Sequence, residues 1–420
     1  MRTKTFVGFG FGPIQSALFL YEAFRSGHFS RFVVVEVDGG TVRAVREAGG
    51  CYAINIACPD CIERATISGV ELYNTAVPED RQQILQAIAE SDELATCLPS
   101  VAFFDTGGDT SVARTLAAGL AQRTSPIPTI VYAAENHNHA AELLCEAVAK
   151  YCPPAALQDV QFLNTVIGKM SGVITDPATL ARLNLATITP ATAKAVLVEE
   201  FNRILISKIA LPGFSRGIDV FIEKADLLPF EEAKLYGHNA IHALIAFLGA
   251  RRGLTAMSEA AAHPDIMATA RAAFIEESGA ALTRKYATLG DQLFTSAGFA
   301  AYADDLLTRM VRPTLNDLIA RVTRDQVRKL GYDDRFFGTM RLALQYGIRP
   351  VHLAGGAAAA VLSLVDQWDS LGQTVTPLPR PVMPLSRKSI GQLHRAIWST
   401  KAGPESETLI DLVGEAACRL

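Results

Sequence analysis

Short apolar runs separated by glycine, proline and charged residues fill the first half of the chain, and longer stretches with apolar residues three and four apart fill the second. Residues 5–9 read as a buried strand and Gly10-Phe11-Gly12-Pro13 as the turn after it. Over residues 14–26 the positions Ile14, Leu18, Leu20, Tyr21 and Phe24 have the spacing of a helix packed on a sheet. Residues 32–35 make a second strand that ends in Glu36-Val37-Asp38. Strands at 52–56 and 65–67 flank a Pro-Asp turn and are suited to pairing. Buried parallel strands are predicted at 93–98 and 129–133, with a helix at 111–122 between them. From residue 228 the period changes, and helices are predicted at 231–250, 266–285, 302–310, 315–330, 338–346 and 353–366, with a proline-rich excursion at 376–384. The fold class is therefore α/β, a doubly wound sheet followed by an all-helical C-terminal domain.

The β-α-β start carries candidate chemistry. A glycine turn at a helix N-terminus lets backbone N–H groups approach a pyrophosphate, and the helix dipole favours the anion. An acidic side chain at the end of the second strand bonds ribose hydroxyls and repels a 2′-phosphate. Gly8, Gly10, Gly12, Pro13, Ile14 and Glu36 are thus the candidate cofactor-binding residues of a Rossmann-type dinucleotide-binding domain at residues 1–227. Strand ends border the ligand crevice, which adds Thr96 and Asn136. Glu36 favours NAD over NADP, with Arg43 and Arg46 close downstream. The glycine fingerprint departs at Gln15, where a third glycine belongs, and that larger side chain is expected to push the helix off the strand or crowd the phosphate.

Composition narrows the class. The 420 residues are 49% apolar and 20% charged with a formal net charge of -4, which argues against a nucleic-acid surface. The seven cysteines read as reduced thiols of a cytoplasmic protein. The N-terminal apolar stretch has glycines and no small-residue cleavage site, and the run 353–365 is too short for a bilayer, so no membrane partner is expected.

Lys234-Leu-Tyr-Gly-His238-Asn239-Ala-Ile-His242 opens the helical domain at residues 228–420, the expected substrate-binding domain. On an α-helix at about 100° per residue, Asn239 lies roughly 140° and His242 roughly 80° from Lys234. A lysine, a carboxamide and an imidazole on one face can take a proton, polarise an oxygen and orient a base. Glu231-Glu232 is explained by helix N-terminal charge and Glu276-Glu277 by helix surface. His238 fits a core position and a place beside the site equally. The histidines of Asn136-His137-Asn138-His139 read as solvated neighbours of Asn136. Cys58-Pro-Asp-Cys61 has redox or half-zinc spacing, but no second such pair follows. It reads as a hairpin turn with two free thiols, and no metal is expected.

Lys234-x4-Asn239-x2-His242 resembles the signature of the polyol-specific long-chain dehydrogenases, the mannitol dehydrogenase family. Glu276-Glu277-Ser278-Gly279-Ala280, Arg284-Lys285-Tyr286, Arg321-Val322, Arg328-Lys329-Leu330, Asp334-Arg335, Gln345-Tyr346-Gly347 and the alanines at 357–360 are similar, in order, to the polyol-phosphate branch of that family. Ala134-Glu135-Asn136 is similar to its strand-end Glu-Asn. The resemblance covers essentially the whole chain. It implies a zinc-independent, NAD-dependent interconversion of a polyol or polyol phosphate, of the mannitol 1-phosphate kind, with the matching ketose. Lys234 would be the general acid/base, Asn136 and Asn239 would hold the substrate oxygen, and His242 would bond it and place Lys234. The segment 167–172 departs from the family: Gly168-Lys169 stands where relatives have Asp-Arg, and the proline is gone. Lys169, His238 and Arg335 are the substrate-binding candidates, with Arg312 and Lys329 as further cations that suit either an anion clamp or internal salt bridges. The alternatives are a hexuronate or aldonate reductase of the same family, and a nucleotide-binding homologue without turnover. A monomer or small homo-oligomer is expected.

Overall fold

The computed structural model describes residues 4–124, 127–201 and 203–420, which fall into two compact units, Met1–Leu228 and Pro229–Leu420.

The N-terminal unit holds twelve strands: β1 Lys4–Phe9, β2 Phe29–Val35, β3 Tyr52–Ala57, β4 Ile62–Ile67, β5 Val70–Tyr73, β6 Glu93–Thr96, β7 Thr129–Ala133, β8 Val160–Val166, β9 Ser171–Ile174, β10 Ala195–Glu199, β11 Ile204–Ser207 and β12 Phe221–Lys224. Eight of them form one sheet in the order β12-β11-β8-β7-β6-β1-β2-β5, parallel throughout except where β11 meets β8. Chain order reverses beside β1, which pairs with β2 on one side and β6 on the other. Ligands of doubly wound sheets bind at that switch point.

Alternation along the central strands explains why both faces are covered. Phe6, Phe32, Val34 and Tyr132 point to one face, against Leu18, Phe19 and Leu20 of the first helix. Val7, Phe9, Val33, Val35 and Val131 point to the other, against helices Pro78–Glu90, Val112–Ala121 and Ala140–Ala149. Each such buried side chain contributes about 1.5–3 kcal/mol relative to exposure. The predicted hairpin forms, with β3 antiparallel to β4, and it belongs to a second sheet in the order β4-β3-β10-β9.

The helical unit begins with one continuous helix, α over Leu228–Glu232, π over Ala233–Asn239 and α again over Ala240–Arg251. The helix predicted at 266–285 is interrupted in the same way, α over Pro264–Ala272, π over Ala273–Gly279 and α over Ala280–Lys285. The helix predicted at 315–330 does not exist as one element. Asn316 and Asp325 adopt left-handed φ of 47° and 58°, and only the short helices Ile319–Val322 and Gln326–Lys329 remain. Apolar spacing was right there, but two polar residues that tolerate left-handed backbone break the ladder. Helix Val351–Asp366 packs beside Ala240–Arg251 and Ser406–Ala417, and among the described residues no helix is long and apolar enough to cross a membrane.

Glu277 corrects the surface reading of Glu276-Glu277. Glu276 is exposed, but Glu277 is buried, and its two carboxylate oxygens accept from the N–H groups of His352 (2.7 Å) and Leu353 (2.9 Å) at the start of helix Val351–Asp366. It satisfies donors that a helix N-terminus leaves open. Glu277→Ala should therefore destabilise this unit by about 2 kcal/mol, as buried donors are left unpaired. Glu276→Ala should stay within about 0.5 kcal/mol. Urea unfolding followed by a probe in the helical unit measures both.

Candidate active site

In the N-terminal unit the glycine turn and the second strand end are tied together by one carboxylate. Glu36 accepts from the Phe11 N–H through Oε2 (2.7 Å) and from the Asp38 N–H through Oε1 (2.8 Å). Asp38 caps helix Gly39–Glu47. Gly10 has φ of 83°, and a Cβ there would stand 2.8 Å from the carbonyl oxygen of Cys97. Glycine is required by both the backbone and the space. Gly12 is different, since a Cβ at that position would meet nothing within 4 Å. Pro13 and Ile14 open the helix beside it and are half-buried. Val37, 82% exposed, presents an apolar side chain next to Glu36.

Gln15 does not act as expected. A Cβ on Gly8 would lie 2.3 Å from Gln15 Nε2, so the carboxamide occupies the space that Gly8 leaves empty in β1. The helix opens to π geometry over Gln15–Phe19. Gln15 is fully buried, and neither polar atom of its side chain has a hydrogen-bond partner.

The ends of β6 and β7 are joined through Glu135. This buried carboxylate accepts from the Thr96 hydroxyl (2.9 Å) and the Leu98 N–H (2.8 Å), and burial pushes it up to about 7 against the pull of those bonds. Thr96 is itself fully buried, so it braces the strand end, while Asn136 stands exposed just beyond. Lys169 is buried, and its ammonium donates to the carbonyl of Phe201 (3.1 Å).

In the helical unit the π segment changes the angular arithmetic of the signature. A π-helix bonds residue i to i+5, so Lys234 and Asn239, five apart, stack about one turn above each other. They are closer to one face than the 140° expected for an α-helix. The segment is held by small residues: a Cβ on Gly237 would stand 2.7 Å from the Phe274 ring of the second π segment. The Tyr236 carbonyl within the wide turn accepts from the hydroxyls of Ser278 (2.9 Å) and Thr339 (3.3 Å).

Electrostatics then separates the three basic groups. Desolvation, together with the nearby Arg335 guanidinium, lowers Lys234 to about 8, although Glu231 pulls it back up. Glu231 is buried, so the helix N-terminal reading of the acidic pair holds only for part of its role; Glu232 instead bonds Lys285 and Tyr286. His238 is buried and held well below the ordinary histidine value, first by desolvation and then by His242 and Arg309. His242 Nε2 is 2.8 Å from Asp317 Oδ2, and Asp317 also accepts from Arg321. Burial would raise the Asp317 carboxyl, but those partners hold it below its usual range. Asp317 lies inside the segment predicted as a continuous helix, and its neighbour Asn316 was the signal that the segment breaks.

Of the other cations, Arg335 is buried with Nε on Asp334 (2.8 Å). Lys329 is lowered to about 7 by desolvation and then by Arg335 and Arg328, and its ammonium contacts the Arg324 carbonyl.

Comparison with known proteins shows the family of the chain. Residues 226–393 match the mannitol dehydrogenase C-terminal domain. The chain is 30% identical over 290 residues to the mannitol-1-phosphate 5-dehydrogenase of Halalkalibacterium halodurans, covering 68% of this chain and 70% of that one. The corresponding enzyme of Shouchella clausii is 29% identical over 325 residues, 76% and 78% of the two chains. The chain belongs to the mannitol dehydrogenase family. Like its relatives, this family member is an oxidoreductase acting on a CH–OH group. The fold is that of a substrate-free D-sorbitol dehydrogenase (TM-score 0.75, 14% identity, 98% and 92% of the two chains). It is also that of Pseudomonas fluorescens mannitol 2-dehydrogenase solved with NAD and D-mannitol (TM-score 0.73, 16% identity, 100% and 92%).

Gly10→Ala should destabilise the N-terminal unit by about 1–3 kcal/mol, because a side chain there is strained. Gly12→Ala, with open space around it, should change stability by less than about 1 kcal/mol. Chemical denaturation of the two variants checks the difference.

Proposed function

We propose that this family member is an NAD-dependent dehydrogenase that interconverts a polyol phosphate, of the mannitol 1-phosphate kind, with its ketose phosphate through a lysine acid/base and without a catalytic zinc ion. The observation that carries the reading is the wide turn that stacks Asn239 on a lysine lowered to about 8. A general base works best with a value near the working pH.

The N-terminal unit fits a dinucleotide. Gly12 leaves the start of the first helix open to a pyrophosphate, Glu36 offers its carboxylate to the ribose, and Val37 an apolar surface to the adenine. Arg46 is tied to the Leu72 carbonyl and Asp80, and Lys194 to Asp38 and Thr41. Those ties favour NAD over a 2′-phosphorylated cofactor. NAD supplies the hydride acceptor when bound.

The residues of this chain do the rest. Lys234 takes the hydroxyl proton in oxidation and returns it in reduction. Asn239 donates to the oxygen as its negative charge develops, an oxyanion-type role, and the family resemblance gives Asn136 the same role. His242 bonds the same oxygen or its neighbour, with Asp317 fixing the ring. His238 and Arg335 border the substrate, and Arg335 keeps Lys234 from gaining a proton too readily. Homology to enzymes named for mannitol 1-phosphate supports the phosphorylated substrate.

NADH formation against a panel of hexitols, pentitols, their phosphates and aldonates tests the reading, with the highest kcat/KM expected for a hexitol phosphate. NAD binding with no turnover on any of them would leave a nucleotide-binding homologue instead. In polyol oxidation kcat should rise as pH increases through about 8, where Lys234 loses its proton, and ketose reduction should fall over the same range. Lys234→Ala should lower kcat by about 10²–10⁴ and remove that pH limb. A variant that keeps most of its rate overturns the assignment. Gly12→Ala should weaken NADH binding, read by fluorescence titration, while leaving stability nearly unchanged.

A further inference from the structure

The hairpin β3–β4 brings together side chains that the reaction does not use. Ala57 pairs with Ile62, and one step further the Cys58 N–H donates to the Cys61 carbonyl (3.0 Å), so the two cysteines face each other across the strands. Opposite residues of an antiparallel pair point to the same face, and so does a residue two further along. Cys61 and Glu63 therefore share the face of Cys58. The Sγ atoms of Cys58 and Cys61 and a carboxylate oxygen of Glu63 all lie within 4.8 Å of one another, and among the described residues this is the one such cluster of potential metal-ligating groups.

The neighbouring strand extends the row. β10 runs parallel to β3 with Glu199 beside Ala57, and the Glu200 N–H donates to the Ala57 carbonyl (3.2 Å). Glu200 thus comes beside Cys58 in register. The row Glu200–Cys58–Cys61, with Glu63 one step along, crosses three strands and places anionic ligands of mixed sulfur and oxygen type at one sheet end. Zinc is bound by thiolate and carboxylate ligands in tetrahedral geometry, and thiolates select it over magnesium or calcium.

We propose that Cys58, Cys61 and Glu63 form a structural site for a thiophilic divalent cation of the zinc class, with Glu200 placed to complete it. The site staples the β3–β4 hairpin to β10. It takes no part in hydrogen transfer and lies in a different sheet from the one that ends at Glu36. The bland alternative for the same pair, two free thiols on a turn, explains neither Glu63 nor Glu200 on that face.

Titration of the reduced, untagged full-length protein with Co²⁺ as probe tests the site, because thiolate ligation gives a charge-transfer band and tetrahedral geometry intense visible bands. One equivalent with both features, displaced by Zn²⁺, is expected. Cys61→Ser, at an exposed position, should abolish the band while the protein keeps its circular dichroism spectrum and NADH binding. Glu63→Gln should weaken binding, and Cys418→Ser, an exposed cysteine outside the cluster, should leave it unchanged. Zn²⁺ should also raise the melting temperature of the unmodified protein and not of Cys61→Ser. The proposal is overturned if all seven thiols titrate as free and Co²⁺ gives no thiolate band, or if the band survives in Cys61→Ser. Formation of a Cys58–Cys61 disulfide in place of metal binding would equally overturn it.

Discussion

A helix that widens for one turn is the constraint on which the helical unit depends. Lys234 and Asn239 are five residues apart, and five residues close a turn only in π geometry. Such a turn is uncommon in isolation, and here its surroundings hold it. Gly237 admits the Phe274 ring where a side chain would collide, and Gly279 of the second π segment does the same for Phe299. Ser278 and Thr339 bond the Tyr236 carbonyl within the wide turn. The first widened turn is fitted by a ring of the second, and the second by a ring of helix Ser296–Met310.

The same packing sets the charge states. Desolvation lowers Lys234 to about 8 and holds His238 well below the ordinary histidine value, so two basic groups on adjacent turns are both disfavoured in their charged forms. Glu231 limits how far Lys234 falls, and Arg335 opposes it. His242 takes its orientation from Asp317, which the breaks at Asn316 and Asp325 bring out of a regular helix.

Much of this was legible from residue order. The short apolar runs located β1, β2, β3, β6 and β7, and the change to helical spacing located the second unit. The signature Lys234-Asn239-His242 stood out by residue type. What periodicity could not show was the departure from α geometry, because apolar spacing of three and four is compatible with one widened turn. Nor could it show the break at 316–325, where apolar spacing persisted across residues whose backbone is left-handed. Glu277 looked like surface because its burial comes from helix Val351–Asp366, distant in sequence. The sheet β4-β3-β10-β9 was only half visible, since β10 joins β3 from well over a hundred residues away.

Gln15 shows how a departure from a motif can be absorbed by packing. The third glycine of the fingerprint normally lets the helix approach the strand closely. Here the side chain that replaces it fits into the space left by Gly8, so the missing volume has moved from the helix to the strand. The arrangement has a cost, since a buried carboxamide atom without a partner forfeits about 1–3 kcal/mol. That cost falls on stability. Gly12, at the proposed pyrophosphate position, keeps open space around it, and Glu36 still holds the turn through the Phe11 N–H. The departure is therefore structural in kind, and it gives little support to a homologue that has abandoned its nucleotide chemistry.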